Sequence, residues 1–433
     1  MLSNQSLLSL RWQMRFVPHQ ILSLDQITVC EVNPTVNIVE VSLIEHSCHE
    51  SCTPESVHPL KTMLKQLLLV TTLALIFPVC SQGQISKLPW LQDAQTPPAG
   101  EFGITPMKQW SLNAHQVVTT RKQWEHAEVD KSSPRDVIKH RWLTYLGPLA
   151  TQKRSLPRLE VLQREEVGSV ERILVKYEVL SGDFVEAYIL KPLELKGKVP
   201  GIVVLHSTVE NSIDLPAGID GRPEEFHGLG AAQRGMIAIV PRNYLWPTNY
   251  GIKAREMAEQ FLMRYPESKG MARMLYDAQV ATDILAAMPE VDANRIGCVG
   301  HSLGAKEVLY LAAFDERIKA TVFSEGGIST KFSNWDAPWY LGETINKSFH
   351  HDHDELLALI APRPFLLIAG DSADGDRSWP FIAKAMAVYR FYLRKPTIAF
   401  YNHRTGHPLT KEAEERSYQW INMALDHTPT LSK

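Results

Sequence analysis

From about residue 166 to residue 427 the chain alternates between short apolar runs and stretches with apolar residues at helical spacing. Ile173 to Leu180 alternates strictly, with Ile173, Val175, Tyr177 and Val179 on one face. Ser181-Gly182-Asp183 turns the chain and Phe184 to Leu190 returns, which predicts an antiparallel hairpin. The runs Gly201–Leu205, Met236–Val240, Ile296–Val299, Pro364–Ala369 and Thr397–Tyr401 are almost wholly apolar and predict buried strands, and Ile318–Phe323, interrupted by Lys319 and Thr321, predicts another strand. Between them, Glu224–Arg234, Ala272–Met288, Ala305–Phe314, Pro380–Leu393 and Thr410 to about Asp426 predict helices. An opening hairpin followed by alternating strands and helices implies an α/β domain, with a mostly parallel, doubly wound sheet and helices on both faces. Upstream, Gln84 to Pro106 carries four prolines among polar residues and predicts an extended linker. Trp110 to about Gly147 is expected to be helical: Ser132-Ser133-Pro134 marks a helix start and Gly147-Pro148 a stop.

Residues Arg295 to Gly327 concentrate the chemistry. A strand, Ile296 to Val299, runs into Gly300-His301-Ser302-Leu303-Gly304, then into a helix and a second strand. That is the context in which G-x-S-x-G forms a nucleophile elbow. A Ser on so sharp a turn needs small neighbours, and Gly300, Gly304 and Ala305 supply them. The turn sets Ser302 at a helix N-terminus, where unpaired N–H groups and the helix dipole favour an alkoxide or oxyanion.

An activated Ser needs a base, and the base needs a group to orient it. Two later loops follow predicted strands at the end of the sheet where open α/β proteins place their sites. One reads Gly370-Asp371-Ser372-Ala373-Asp374-Gly375-Asp376-Arg377, the other Asn402-His403-Arg404-Thr405-Gly406-His407-Pro408. His407, after Gly406 and just before the last helix, is the expected base, with His403 lining the loop. Three aspartates compete for the acid. One oxyanion donor is expected from the amide of Leu303, the residue after the nucleophile. The other is expected from the loop His206-Ser207-Thr208-Val209, at Thr208.

The pieces LHST (205–208), GHSLGAKEVL (300–309), APRPFLLIAGDSADGDRSWP (361–380) and GHP (406–408) resemble the dienelactone hydrolase and acetyl-xylan esterase branch of the α/β-hydrolase superfamily, over about 135–427. The resemblance implies an α/β-hydrolase fold. Asp376 lies four residues before Pro380, similar to a D-x-x-x-P arrangement of such hydrolases, and is the implied acid; Asp374 is the runner-up and Asp371 is expected to order the turn. The chain departs from the dienelactone hydrolases proper, whose nucleophile is Cys, and Ser207 stands where many relatives have Gly. It lacks the GGSQGG-type elbow of the cephalosporin C deacetylase group and the G-C-S-R elbow of glucuronoyl esterases.

Composition adds bounds. The 433 residues are 44% hydrophobic and 21% charged with a formal net charge of −3, so no basic excess points to nucleic acid. Met63-Leu64-Lys65-Gln66, the apolar run Leu67–Phe77 and the small residues around Ser81 and Gly83 are similar to a secretory signal peptide. Residues 63–83 are therefore expected to be that signal, with 1–62 a start-site artefact or disordered extension. Residues 84–165 are then a linker and helical segment, and 166–430 the catalytic domain. Cleavage would remove Cys30, Cys48, Cys52 and Cys80, leaving Cys298 in the strand before the elbow and no disulfide. The expected location is periplasmic or extracellular, without stable membrane insertion.

Two clusters remain. His350, His351, Asp352, His353 and Asp354 are contiguous, a spacing that does not converge several side chains on one metal, and are expected to form a polar loop capping the helix near Glu355. Trp335, Trp339 and Tyr340 either face a sugar ring or pack as a lid. The functional expectation is an exported serine esterase acting on small-molecule or polysaccharide esters, with no metal or organic cofactor. A prolyl-oligopeptidase-like peptidase and a non-catalytic hydrolase-fold binding protein are its rivals.

Overall fold

The computed structural model describes residues 88–99, 110–113, 116–126, 132–248, 250–392 and 397–427. The signal-like segment, everything upstream of it and residues 84–87 and 100–106 of the expected linker lie outside the described residues; the part between forms two short 3-10 turns, Pro89–Leu91 and Asp93–Gln95, rather than an extended segment.

Strand β1 (Trp110–Asn113) and strand β2 (Gln116–Val118) form a small antiparallel ladder. A second sheet contains nine strands among the described residues: β3 (Glu160–Val167), β4 (Val170–Leu180), β5 (Asp183–Pro192), β6 (Val199–Leu205), β7 (Ile237–Pro241), β8 (Val291–His301), β9 (Ile318–Ser324), β10 (Phe365–Ala369) and β11 (Ile398–Asn402). Their spatial order is β11-β10-β9-β8-β6-β7-β5-β4-β3. The three opening strands pair antiparallel with one another and with β7, and the rest of the sheet is parallel. This is the α/β-hydrolase architecture, with helices on both faces.

Successive residues of a strand point to opposite faces, so each parallel strand feeds two cores. Val203, Leu205, Ile239, Cys298, Phe323 and Leu367 face one core, built with helices Gly270–Ala287, Leu303–Phe314 and Asp354–Ile360. Ile202, Val204, Ala238, Val299, Val322 and Ile368 face the other, covered by helices His227–Gln233 and Lys411–Ala424. Cys298 is a buried free thiol among these apolar groups.

The start at Ser133 and the stop at Gly147 hold: the Ser133 side chain accepts the amide of Asp136 at the head of helix Pro134–Leu146. The expected helix does not extend back to Trp110, because 110–113 and 116–118 form the β1–β2 ladder. The edge strand β3 and the helix Ala254–Arg264 are further elements beyond the sequence reading. The strand exposes polar residues along much of its length, which leaves little alternation to detect, whereas the helix carries Met257, Ala258, Phe261 and Leu262 at helical spacing, a signal available in the sequence.

Candidate active site

Every residue of the site comes from a loop at the C-terminal ends of the parallel strands. β8 delivers Ser302, the N-cap of helix Leu303–Phe314, at φ 56° and ψ −114°. A positive φ is costly for a non-glycine residue, of order 1–3 kcal/mol, and persists only where the surroundings enforce it. The enforcing contacts are backbone on backbone. A Cβ on Gly304 would lie 1.9 Å from the carbonyl oxygen of Leu205, and one on Gly300 would lie 2.2 Å from that of Gly304. The Ser302 amide donates to the Ser324 carbonyl at 2.8 Å, tying the elbow to the end of β9.

β6, paired with β8 through Leu205 and Gly300, delivers the loop with Thr208. His206 at its root is buried, and its Nε2 accepts the amide of Asn243 at 3.0 Å. The ring proton therefore lies on Nδ1, which donates to the Ser207 carbonyl at 2.8 Å. Burial depresses its pKa to about 4, so this imidazole stays neutral. The indole N–H of Trp246 donates to the Val209 carbonyl at 2.9 Å and the Ser207 hydroxyl donates to Glu225 at 3.1 Å. Thr208 is thus the exposed tip of a loop anchored on both sides, whose root at Leu205 and His206 packs against Gly304 of the elbow helix.

β11 delivers His407 through a loop that lies against the loop after β10. The Gly406 amide donates to the Gly370 carbonyl at 2.7 Å, and a Cβ on Gly370 would lie 1.9 Å from the Gly406 carbonyl oxygen. The His407 ring centroid sits 4.9 Å from that of His301, the residue immediately before Ser302.

The partner of His407 corrects the sequence expectation. Asp376 does not reach it: its carboxylate receives Arg404 Nη2 at 2.7 and 2.8 Å and Asn402 Nδ2 at 2.9 Å. Nor does Asp374, which is fully buried and accepts the amides of Gly327 and Ile328 and the hydroxyl of Ser378. Asp371 accepts Asn402 Nδ2 at 2.6 Å from a residue at φ 66° in the turn. The carboxylate facing His407 Nδ1, at 3.2 Å, is that of Glu325.

Glu325 is the first residue after β9, at φ 54°, and its side chain is 0% exposed. Its carboxylate also accepts the amides of Gly370 and, at 2.7 Å, Ala373. Three donors thus converge on one carboxylate. An acceptor at Nδ1 places the imidazole proton there and leaves the lone pair on Nε2, the tautomer a general base requires. The signal in the sequence was an acid at the C-terminal end of the strand beside the nucleophile strand, followed by Gly326-Gly327.

The two open clusters resolve into separate contacts. His351 pairs with Glu355, Asp352 accepts from Ser329 and Thr330, buried His353 lies between Ile328 O and Tyr310 OH, and Asp354 faces Lys384. No side chain caps the helix that begins at Asp354. Among the described residues no group of three or more His, Cys, Asp or Glu side chains could hold a metal ion. Trp335 and Tyr340 are buried, so neither presents a face to a sugar, and Trp339 is half-buried with its backbone against Gly270.

Comparison with known proteins agrees with this fold. The model of the dienelactone hydrolase family matches residues 185–336. The hydrolase-like protein YtaP of Bacillus subtilis (strain 168) is 27% identical over 236 residues, 52% of this chain and 77% of its own. A glucuronoyl esterase from Solibacter usitatus superposes with a TM-score of 0.57 at 16% identity, covering 76% of this chain and 99% of that one. An acetyl xylan esterase-like protein from Bacteroides fragilis NCTC 9343 gives a TM-score of 0.50 at 16% identity, over 63% and 74% of the two chains. The chain therefore resembles the dienelactone hydrolase family and has the fold of α/β-hydrolase esterases.

Proposed function

We propose that the protein is an exported serine hydrolase of carboxylic esters in which Ser302, His407 and Glu325 form the triad. The observation that carries this reading is the hydrogen bond between His407 and the buried Glu325, with the His407 ring 4.9 Å from that of His301, the residue before a Ser held at positive φ in an elbow. His407 Nε2 takes the Ser302 hydroxyl proton as Oγ adds to the ester carbonyl carbon. The amides of Leu303 and Thr208 receive the resulting oxyanion. Collapse of the tetrahedral intermediate breaks the bond to the alcohol oxygen, which leaves with the proton from His407. Water then repeats the sequence on the acyl-enzyme, releasing the acid and restoring Ser302. Glu325 holds the Nδ1–H tautomer and offsets the imidazolium charge; no cofactor is needed.

A carbohydrate ester is the proposed substrate class, supported by the glucuronoyl and acetyl xylan esterases among the structural relatives. Labelling with a fluorophosphonate probe tests the nucleophile: wild type should be modified at Ser302 and Ser302→Ala should not. Turnover of a panel of sugar acetates, methyl glucuronates and peptides tests the class, and cleavage of peptides alone would overturn it. For export, the mature N-terminus should lie near Gln82 or Gln84 by mass spectrometry; recovery of peptides from residues 1–62 would refute the expected start at Met63.

A further inference from the structure

The turn that carries Glu325 is held by an unusual number of buried polar side chains. Glu325 has no slack of its own, since its backbone sits at φ 54° and its amide donates to the Ile368 carbonyl at 2.9 Å. The next peptide groups are each taken in order. The Gly326 carbonyl accepts Lys306 Nζ at 2.6 Å, and the Gly327 carbonyl accepts the Trp335 indole N–H at 2.7 Å. The amides of Gly327 and Ile328 donate to Asp374 at 2.6 and 2.8 Å, one to each carboxylate oxygen. The Ile328 carbonyl accepts from His353 Nδ1 at 2.8 Å. Lys306 and Asp374 are both buried, and among the described residues neither side chain hydrogen-bonds to His407 or Ser302; the one link is the backbone amide of Lys306, which donates to the Ser302 carbonyl at 3.3 Å.

Burying a lysine and an aspartate is costly unless every polar atom has a use. Lys306 lies on the elbow helix four residues after Ser302, with its ammonium 4.2 Å from the Trp335 ring and 5.2 Å from that of Tyr340. Burial lowers its pKa to about 7, and either protonation state retains a donor for the Gly326 carbonyl. Asp374 comes from the loop after β10, the same loop whose amides at Gly370 and Ala373 grip the Glu325 carboxylate. The elbow and the β10 loop therefore meet at one turn, and that turn presents the acid.

We infer that Lys306 and Asp374 are positioning residues: by gripping the backbone at 326–328 they fix the Glu325 carboxylate against His407. The inference rests on the triad proposed above. It predicts coupling of a particular form, because a residue that acts only through Glu325 loses its effect once the Glu325 charge is gone.

The test is a double-mutant cycle on full-length protein, with p-nitrophenyl acetate as the probe. Asp374→Asn keeps the side-chain shape but offers one acceptor oxygen where three donors now converge. Lys306→Met keeps the apolar stem between Trp335 and Tyr340 and removes the ammonium, both as donor to Gly326 and as the cation over the Trp335 ring, so it carries the test independently of how stable Asp374→Asn is. Each should lower kcat by ~10–100-fold with KM within ~3-fold, the pattern of an interaction used in the transition state. In a Glu325→Gln background each should add less than ~2-fold. The downfield proton resonance of the His407 Nδ1–H should shift in both variants, as it would not for a defect confined to folding. Full additivity in the double variants, or unchanged kcat in both single ones, would overturn the inference. If Glu325→Gln alone leaves kcat intact, the triad assignment fails, and the inference falls with it.

Discussion

Replacing Glu325 by Gln separates the triad read from the structure from the one expected from the sequence. The side chain is 0% exposed and its carboxylate takes two amides besides His407 Nδ1 at 3.2 Å. Gln keeps the shape and one acceptor oxygen but removes the charge that stabilises the imidazolium. Loss of a triad carboxylate costs about 10⁴ in kcat, equivalent to about 5 kcal/mol of transition-state stabilisation. The –NH2 must also face one of the amides of Gly370 and Ala373, costing about 1–3 kcal/mol of stability for a buried donor left unpaired. Asp376→Asn is the contrast. It loses part of an ion pair in which Arg404 Nη2 donates to both carboxylate oxygens; the Arg404 side chain is 53% exposed, and such exposed pairs contribute about 0–1 kcal/mol. Its activity should stay within about tenfold of wild type, since only loop order is affected. The assay is kcat and KM on one activated ester, with an unfolding midpoint for each variant. If Asp376→Asn loses as much activity as Glu325→Gln, the assignment of the acid is wrong.

Other outcomes follow from the same geometry. Ser302→Ala and His407→Ala should each lower kcat by several orders of magnitude, with the double variant barely worse than either; additive losses would show that the two do not act as a unit. Gly304→Ala sets a Cβ 1.9 Å from the Leu205 carbonyl oxygen, backbone against backbone, so β6 and the elbow helix must separate. A loss of at least about 1–3 kcal/mol by denaturant titration is expected, and an unchanged midpoint would refute that contact. His227 is buried with neither ring nitrogen hydrogen-bonded among the described residues, and burial depresses its pKa to about 4. The unfolded chain protonates near pH 6.5 and the folded one only near 4, so His227 makes stability fall as pH drops through that window. His227→Leu should flatten the fall without abolishing it, since His206 and His353 are depressed to about 4 as well; an unaltered slope of midpoint against pH would count against this.

What could be read along the chain was what local physics dictates. Buried strands appear as largely apolar runs, and the elbow is a strand, a glycine-flanked turn and a helix within twenty residues, so β6 to β11, Ser302 and the loop with His407 were all legible. The β1–β2 ladder was not, because two strands of four and three residues offer too short a period to set against the helix signals around them. The acid was a different kind of omission. Asp371, Asp374, Asp376 and Glu325 all lie at the same end of the sheet, and nothing in their spacing ranks their distances to His407. Packing decides it. The β10 and β11 loops meet at Gly370 and Gly406, Arg404 and Asn402 draw Asp376 aside, and Asp374 turns inward to hold the backbone at 327–328. The strained turn after β9 then leaves Glu325 facing His407. Residue type and chain order are one-dimensional properties, but which carboxylate meets the imidazole depends on the approach of three loops distant in sequence, and only the folded chain sets that.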